Sequence, residues 1–315
     1  MALYVLRRLG FLVLTLWITS VLIFAVTRLL PGDVARVILG REAGEAALRD
    51  LREELGLDRP ALVQYATWLR RFVAGDWGTS YSTRQEITPL VLQRLRNSLM
   101  LAGLTLLLAT PLGIGLGVLA ALRENTLVDN LIGVASLSVV GLPEFVTGLV
   151  LIQVLSFSLG WLPANSSIRP DATLGEALPM LVLPALTAML VLLAYIARLT
   201  RAGVVEELHR AYVRTATIKG LPRRTVIGKH VLRNALLPTI TVIAISFGWL
   251  ISGLVVVENV FNYPGLGRLL VFAVDRRDLP LIQAISMITA VGYAGANLAA
   301  DLLYALLNPR VRFGQ

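Results

Sequence analysis

Cysteine is absent from this sequence, which excludes disulfides, thiolate metal sites and a cysteine nucleophile, and leaves the redox compartment unread. Histidine is almost absent: two residues cannot build a zinc site by themselves. Charge is also scarce, with 16% of side chains charged and 56% hydrophobic, against about a quarter and about a half in ordinary soluble domains. The bilayer is the natural solvent for such a chain. No internal repeat or low-complexity stretch stands out. No G-x-x-x-x-G-K-[ST] loop is present, since Gly228-Lys229 continues with His230, so the chain has no phosphate cradle of its own.

What the sequence has is long apolar runs. A helix rising 1.5 Å per residue needs about 20 apolar residues to cross a core about 30 Å thick, and six charge-poor windows reach that length. They predict an all-α integral membrane protein with spans at 9–30, 97–122, 130–159, 178–198, 235–257 and 280–306. The third window is interrupted by Glu144. Arg7 and Arg8 precede the first and imitate a signal peptide, but its apolar stretch is long and no small-residue cleavage site precedes Pro31, so it reads as a retained anchor.

The net charge of +9 has a topological origin and is not a nucleic-acid footprint, because Lys and Arg collect in cytoplasmic loops. Arg201, Arg210, Arg214, Lys219, Arg223, Arg224, Lys229 and Arg233 crowd 199–234 against only Glu206 and Glu207. That loop is therefore expected to be cytoplasmic, as are 1–8, 123–129 and 307–315. Segments 31–96, 160–177 and 258–279 fall outside. The first of these has helical spacing over Asp50 to Leu55 and Leu62 to Phe72, punctuated by Gly56, Pro60, Gly75 and Gly78.

Between Arg201 and Pro238 two amphipathic stretches flank Gly220-Leu221-Pro222. Gly220 is suited to a positive-φ cap and Pro222 to the first turn of a second helix. Two readings follow from charge alone: a basic helix pair lying on anionic lipid, or a docking element for a cytoplasmic partner.

This segment resembles the coupling (EAA-type) loop of ABC importer permeases, in the form used by the dipeptide, oligopeptide and nickel subfamily. Ala216 and Gly220 fall on its pattern, within RTA, three residues, G, and a longer run to RNALLP. Arg214 and Thr215 stand where the general pattern has Glu and Ala. The likeness covers nearly the whole chain. It includes Leu30-Pro31-Gly32-Asp33, Leu55 to Pro60 with Gln64-Tyr65, and Gly75-Asp76-Trp77-Gly78 with Ser80. It continues through Glu258, Val260, Phe261, Pro264-Gly265-Leu266-Gly267 and Asp278, then Asp301, Tyr304 and Asn308-Pro309-Arg310.

The resemblance implies a permease core over 97–310 forming half of a translocation path in a prokaryotic cell membrane, both termini cytoplasmic. It implies a second homologous permease, two cytoplasmic ATP-binding subunits that hold the ATP and Mg, and an extracytoplasmic solute-binding protein. Short peptides are the implied substrates, with nickel chelates, glutathione and small oligosaccharides left open. Thr215, Ala216, Lys219, Gly220 and Leu221 are implied as the contact with the ATPase. Asp33, Asp76, Trp77, Pro264 and Gly265 are implied on the face that meets the binding protein. No catalytic, cofactor-binding or metal-binding residue is expected in this chain.

The polar residues inside the windows have two readings. Glu144, Ser136, Ser138, Thr147 and Ser246 either line a polar path or, for the hydroxyls, bond helices together, and Glu144 marks either a pore or a span boundary. Glu258 and Asp301 are expected at watery span ends. Gly113 and Gly117 form G-x-x-x-G, a close-packing signal. A proton-driven carrier would need ionisable groups at mid-membrane, where only Glu144 is available. A membrane enzyme would need a convergent catalytic set that the chain does not offer. A scaffold would use the basic loop without ATPases.

Overall fold

The computed structural model describes residues 2–29, 36, 39, 43–54, 56, 58–169 and 173–307. Among these the architecture is helical, with one isolated antiparallel bridge between Thr79 and Glu86. The elements are α1 (Ala2–Leu29), α2 (Glu45–Glu54), α3 (Ala61–Val73), α4 (Ile87–Leu122), α5 (Leu127–Gly141) and α6 (Glu144–Ser158). They continue as α7 (Leu174–Leu208), α8 (Ala211–Ile218), α9 (Arg223–Ala235), α10 (Leu237–Gly253), α11 (Val255–Val260), α12 (Leu266–Asp275) and α13 (Leu279–Leu307). α6 and α9 each contain a π-helical stretch, Ile152–Ser158 and Val226–Val231.

α1, α4, α7 and α13 are each long and apolar enough to cross a membrane. α5 with α6, bent by 107°, and α9 with α10, bent by 50°, would bring the number to six if each pair is one span. The sharper bend has a cause in the chain. Leu142 precedes Pro143, whose ring disfavours helical backbone at the residue before it, and Leu142 is extended at φ −92°, ψ 135°. The window 130–159 is therefore two helices rather than one. Pro111, Pro179 and Pro184, by contrast, lie inside continuous helices.

The packing of α4 on α7 sets the frame, and glycine makes it close. A Cβ on Gly113 would come 2.8 Å from Ile196, and one on Gly117 would come 2.5 Å from the Ala197 carbonyl. Sequence numbers rise together along this contact, so the two helices run parallel. The intervening chain must return, and α5 with α6 does so: Asp129 is bonded to Arg201, while Gly148 packs on Phe261 and Val260 at the opposite end. α13 runs antiparallel to α10, with Gly248 against Ala296 and Gly292 against Ile251. An ion pair of 2.7 Å joins Arg8 on α1 to Asp301 on α13. Arg8, Asp301, the 123–126 turn and the α8–α9 pair thus share one end of the bundle, the Arg201 end.

The other end carries α3, α11 and α12. α3 is fastened to α1 by a hydrogen bond between Ser20 Oγ and Tyr65 OH at 2.8 Å and by Phe24 packing edge-on against Tyr65 at 5.5 Å.

Candidate functional site

The α8–α9 pair at the Arg201 end is built on one buried seam. Val213 and Ala216 of α8 pack with Val226, Val231 and Ala235 of α9, Val204 of α7 and Ala121 of α4. α8 ends in a paired carbonyl cap: the Gly220 N–H donates to Thr217 O at 3.0 Å and the Leu221 N–H to Ala216 O at 3.3 Å. This cap needs a left-handed residue at its turn, and Gly220 supplies φ +78°. Pro222 is the N-cap of α9.

The pair is joined tightly to the long helices. The Gly203 α-carbon lies against α9 so closely that a Cβ would come 2.5 Å from Ala235 O. Tyr212 OH donates to the Glu207 carboxylate and receives a hydrogen bond from Asn234 Nδ2 at 3.4 Å, linking α7, α8 and α9. Desolvation first, then the Glu207 carboxylate, raises the Tyr212 phenol above its ordinary value and keeps it a donor. Thr200 and Thr239 hydroxyls meet at 3.4 Å where α10 begins. α8 is thus packed on α7 and α9, and α7 in turn meets the start of α10.

The five residues singled out on this loop divide into two sets. Ala216 is buried against the protein's own core, whereas Thr215, Lys219, Gly220 and Leu221 are exposed. Ile218, which sequence reasoning passed over, is 77% exposed, and with Leu221 at 39% it presents apolar surface amid basic side chains. Its position two residues after the buried Ala216 on one short helix was the available signal.

At the opposite end the structure joins residues that the sequence left separate. Glu258, expected at a watery span end, is 1% exposed. Burial is possible because donors surround it: Ser98 Oγ donates to Oε1 at 2.5 Å and the Arg268 N–H to Oε2 at 3.0 Å. Ser98 Oγ in turn accepts from the Leu266 N–H at 2.8 Å. The loop 262–268 is clamped further by Tyr263 OH on Asn97 O at 2.7 Å and by Asn97 Nδ2 on Pro264 O at 2.8 Å. Gly265 is required there, since a Cβ would fall 2.0 Å from Glu258 Oε1. Pro264 and Gly265, expected on the face that meets the binding protein, are buried in this loop.

Asp278 is fully buried and accepts from Ser80 Oγ at 2.6 Å, Ser82 Oγ at 2.7 Å and the Ser82 N–H at 3.0 Å. Its place just ahead of α13 is an N-cap signal readable in sequence; its partners 196 and 198 residues away are not. Asp76 is exposed, and Trp77 is half-buried and stacked on Phe72 at 5.4 Å. Asp33 lies outside the described residues. Of the polar candidates for a path, Ser136 is buried and Ser138 exposed, Ser246 Oγ donates to Val242 O at 2.8 Å, and Thr147 Oγ1 is buried without a partner. Glu144 is half-buried at the start of α6, immediately after the 107° break, where the helix amino terminus favours an acid. Asp301 is partly exposed beside Arg8.

Residues 113–313 match the family of binding-protein-dependent transport system inner membrane components, and residues 1–102 match its amino-terminal companion family. The chain belongs to this family. The permease is 40% identical over 310 residues to the glutathione transport system permease protein GsiC of Escherichia coli K12, covering 98% of this chain and 99% of that one. It is 39% identical over the same span to GsiC of Salmonella paratyphi A. A crystal structure of an amino acid ABC transporter with histidines shares the permease's fold at a TM-score of 0.52 and 18% identity, over 71% of this chain and 94% of that one. The permease is thus an ABC importer subunit of the peptide and nickel type.

Proposed function

We propose that this permease forms half of the translocation path for short peptides in an ATP-driven importer, with the α8–α9 pair receiving the ATPase stroke. The observation that carries the reading is the pair's division of labour: Val213 and Ala216 lock it to α7 and α9, while Ile218 and Leu221 stand exposed at its tip. The Arg201 end, rich in unbalanced Lys and Arg, is then cytoplasmic by the positive-inside rule, both termini with it. α5 with α6 and α9 with α10 each count as one span, giving six. A second homologous permease completes the path, two ATPases bind the ATP and Mg, and a solute-binding protein delivers substrate to the Glu258 end. Glu144, Ser136, Ser138, Thr147 and Ser246 are the polar candidates for the path. The subunit itself is non-catalytic.

A second substrate, glutathione, is favoured by the named function of the 40% identical relatives. Glutathione is itself a short γ-linked peptide, so one path geometry suits both. The test begins with a carboxyl-terminal tag, gentle extraction and mass spectrometry of what co-purifies. A second six-span chain and P-loop ATPases are expected; recovery without any ATPase, under conditions that preserve a known importer, overturns the coupling reading. Uptake of labelled dipeptide against labelled glutathione in a deletion strain then separates the substrates.

A further inference from the structure

A cavity of about 600 Å³ opens at the Glu258 end between α1, α3 and the start of α13. Among the described residues three guanidinium groups line it, Arg28, Arg59 and Arg71, against one carboxylate, Asp76. These described side chains contribute three positive charges and one negative, a net +2. None of the three arginines makes a side-chain hydrogen bond or ion pair among the described residues, although other surface arginines do, such as Arg36 to Glu45 at 2.8 Å. Asp76 accepts from the Gly78 N–H at 3.1 Å.

One side of the remaining wall is aromatic, beside polar residues such as Thr27, Gln64, Thr67 and Gln283. Phe24, Trp68, Phe72 and Trp77 follow one another with ring centres 5.9, 6.1 and 5.4 Å apart. Such rings belong at the interface between hydrocarbon and water. The cavity also has an apolar approach. Trp17, Val21, Phe24 and Arg28 lie on one stripe of α1 by their spacing of four, three and four residues, and Trp17 and Val21 are 54% and 38% exposed. A cationic, aromatic-walled hollow at the top of an exposed apolar stripe matches a molecule with an anionic head and a hydrocarbon tail.

We propose that this cavity holds the phosphate of an anionic phospholipid, with its acyl chain lying along the Trp17 and Val21 stripe. The bound lipid would tie the external helix α3 to α1 and α13. The test is native mass spectrometry of the full-length permease in detergent, titrated separately with phosphatidylglycerol, phosphatidylcholine and glycerol phosphate. Wild type should retain phosphatidylglycerol over phosphatidylcholine, with glycerol phosphate alone held far more weakly. The triple variant Arg28→Gln, Arg59→Gln, Arg71→Gln should lose that preference by roughly tenfold or more, and Arg169→Gln should not change it. If the triple variant does not fold, Arg59→Gln and Arg71→Gln singly should each lose part of it. Equal retention of the two lipids, or a preference that survives the arginine changes, overturns the proposal. Glycerol phosphate bound as tightly as phosphatidylglycerol and lost in the triple variant would make the source a soluble phosphate and overturn the lipid assignment.

Discussion

The Asp129 carboxylate holds Arg201 by both oxygens, Oδ1 accepting from Nε at 2.5 Å and Oδ2 from Nη2 at 2.6 Å, across 72 residues of chain. Oδ2 also accepts from the Asn125 N–H at 3.0 Å, so one buried acid fixes the α4–α5 turn to α7 just ahead of the α8–α9 pair. Removing the acid leaves the guanidinium without its planar partner. Asp129→Ala should lower stability by roughly 1–3 kcal/mol, read as thermal melting of the purified protein. Adding Arg201→Met should recover part of the loss, because removing both partners costs less than removing one. A double variant as unstable as the sum of the singles would show that the pair is not coupled.

Gly220 gives a different kind of prediction, because space around it is open and only its backbone is special. Nothing lies within 4 Å of a Cβ built there, yet φ is +78°. Gly220→Asn, tolerant of left-handed backbone, should keep uptake close to wild type. Gly220→Val should strain the cap by about 1–2 kcal/mol and shift Ile218 and Leu221. Gly220→Glu adds a negative charge at the exposed tip of the α8–α9 pair. Both latter variants should express and assemble but hydrolyse ATP with little uptake, measured as the ratio of the two rates in proteoliposomes.

The helical segments were legible because charge-free windows and proline or glycine punctuation are local signals. The second window, 97–122, is the apolar part of a longer helix that starts at Ile87, since charge marks where lipid ends and not where a helix ends. The break at Leu142 was carried by Pro143, yet Pro111, Pro179 and Pro184 show that proline alone does not fix a bend. Gly220 was read correctly as a cap because a cap is local. The burial of Glu258 was not legible: its donors, Ser98 and the Arg268 N–H, come from two other elements and meet it only in three dimensions. The close glycines of Pro264-Gly265-Leu266-Gly267 hinted at a backbone pressed on something, without naming the partner.

G-x-x-x-G in α4 allows a test with its own internal control. A Cβ on Gly117 would lie 2.5 Å from Ala197 O and 2.6 Å from Thr200, while Gly115 between the pair has nothing within 4 Å. Gly117→Ala should push α4 away from α7 and cost about 1–3 kcal/mol. Gly115→Ala should be neutral or slightly stabilising, from helix propensity alone. Thermal melting of the two single variants decides it, and equal effects at the two positions would refute the close parallel packing of α4 on α7.

Glu258 lies beyond α10, and its burial raises the carboxyl above the ordinary glutamate value of 4.5, against the hydrogen bonds from Ser98, Arg268 and Gly267 that pull it down. The folded protein therefore binds this proton more tightly than the unfolded chain does. Its contribution is fully favourable below 4.5 and is lost as pH rises through the raised folded value. Glu258→Gln keeps the volume and one carbonyl acceptor for Ser98, removes the titration, and turns an amide N–H₂ toward the Arg268 N–H. The variant should be less stable than wild type, because two donors then face each other in a buried site. Its melting temperature should also depend less steeply on pH above 4.5, through the raised folded value. Parallel pH slopes for the two proteins would mean that Glu258 does not titrate on unfolding, its three donors balancing its burial.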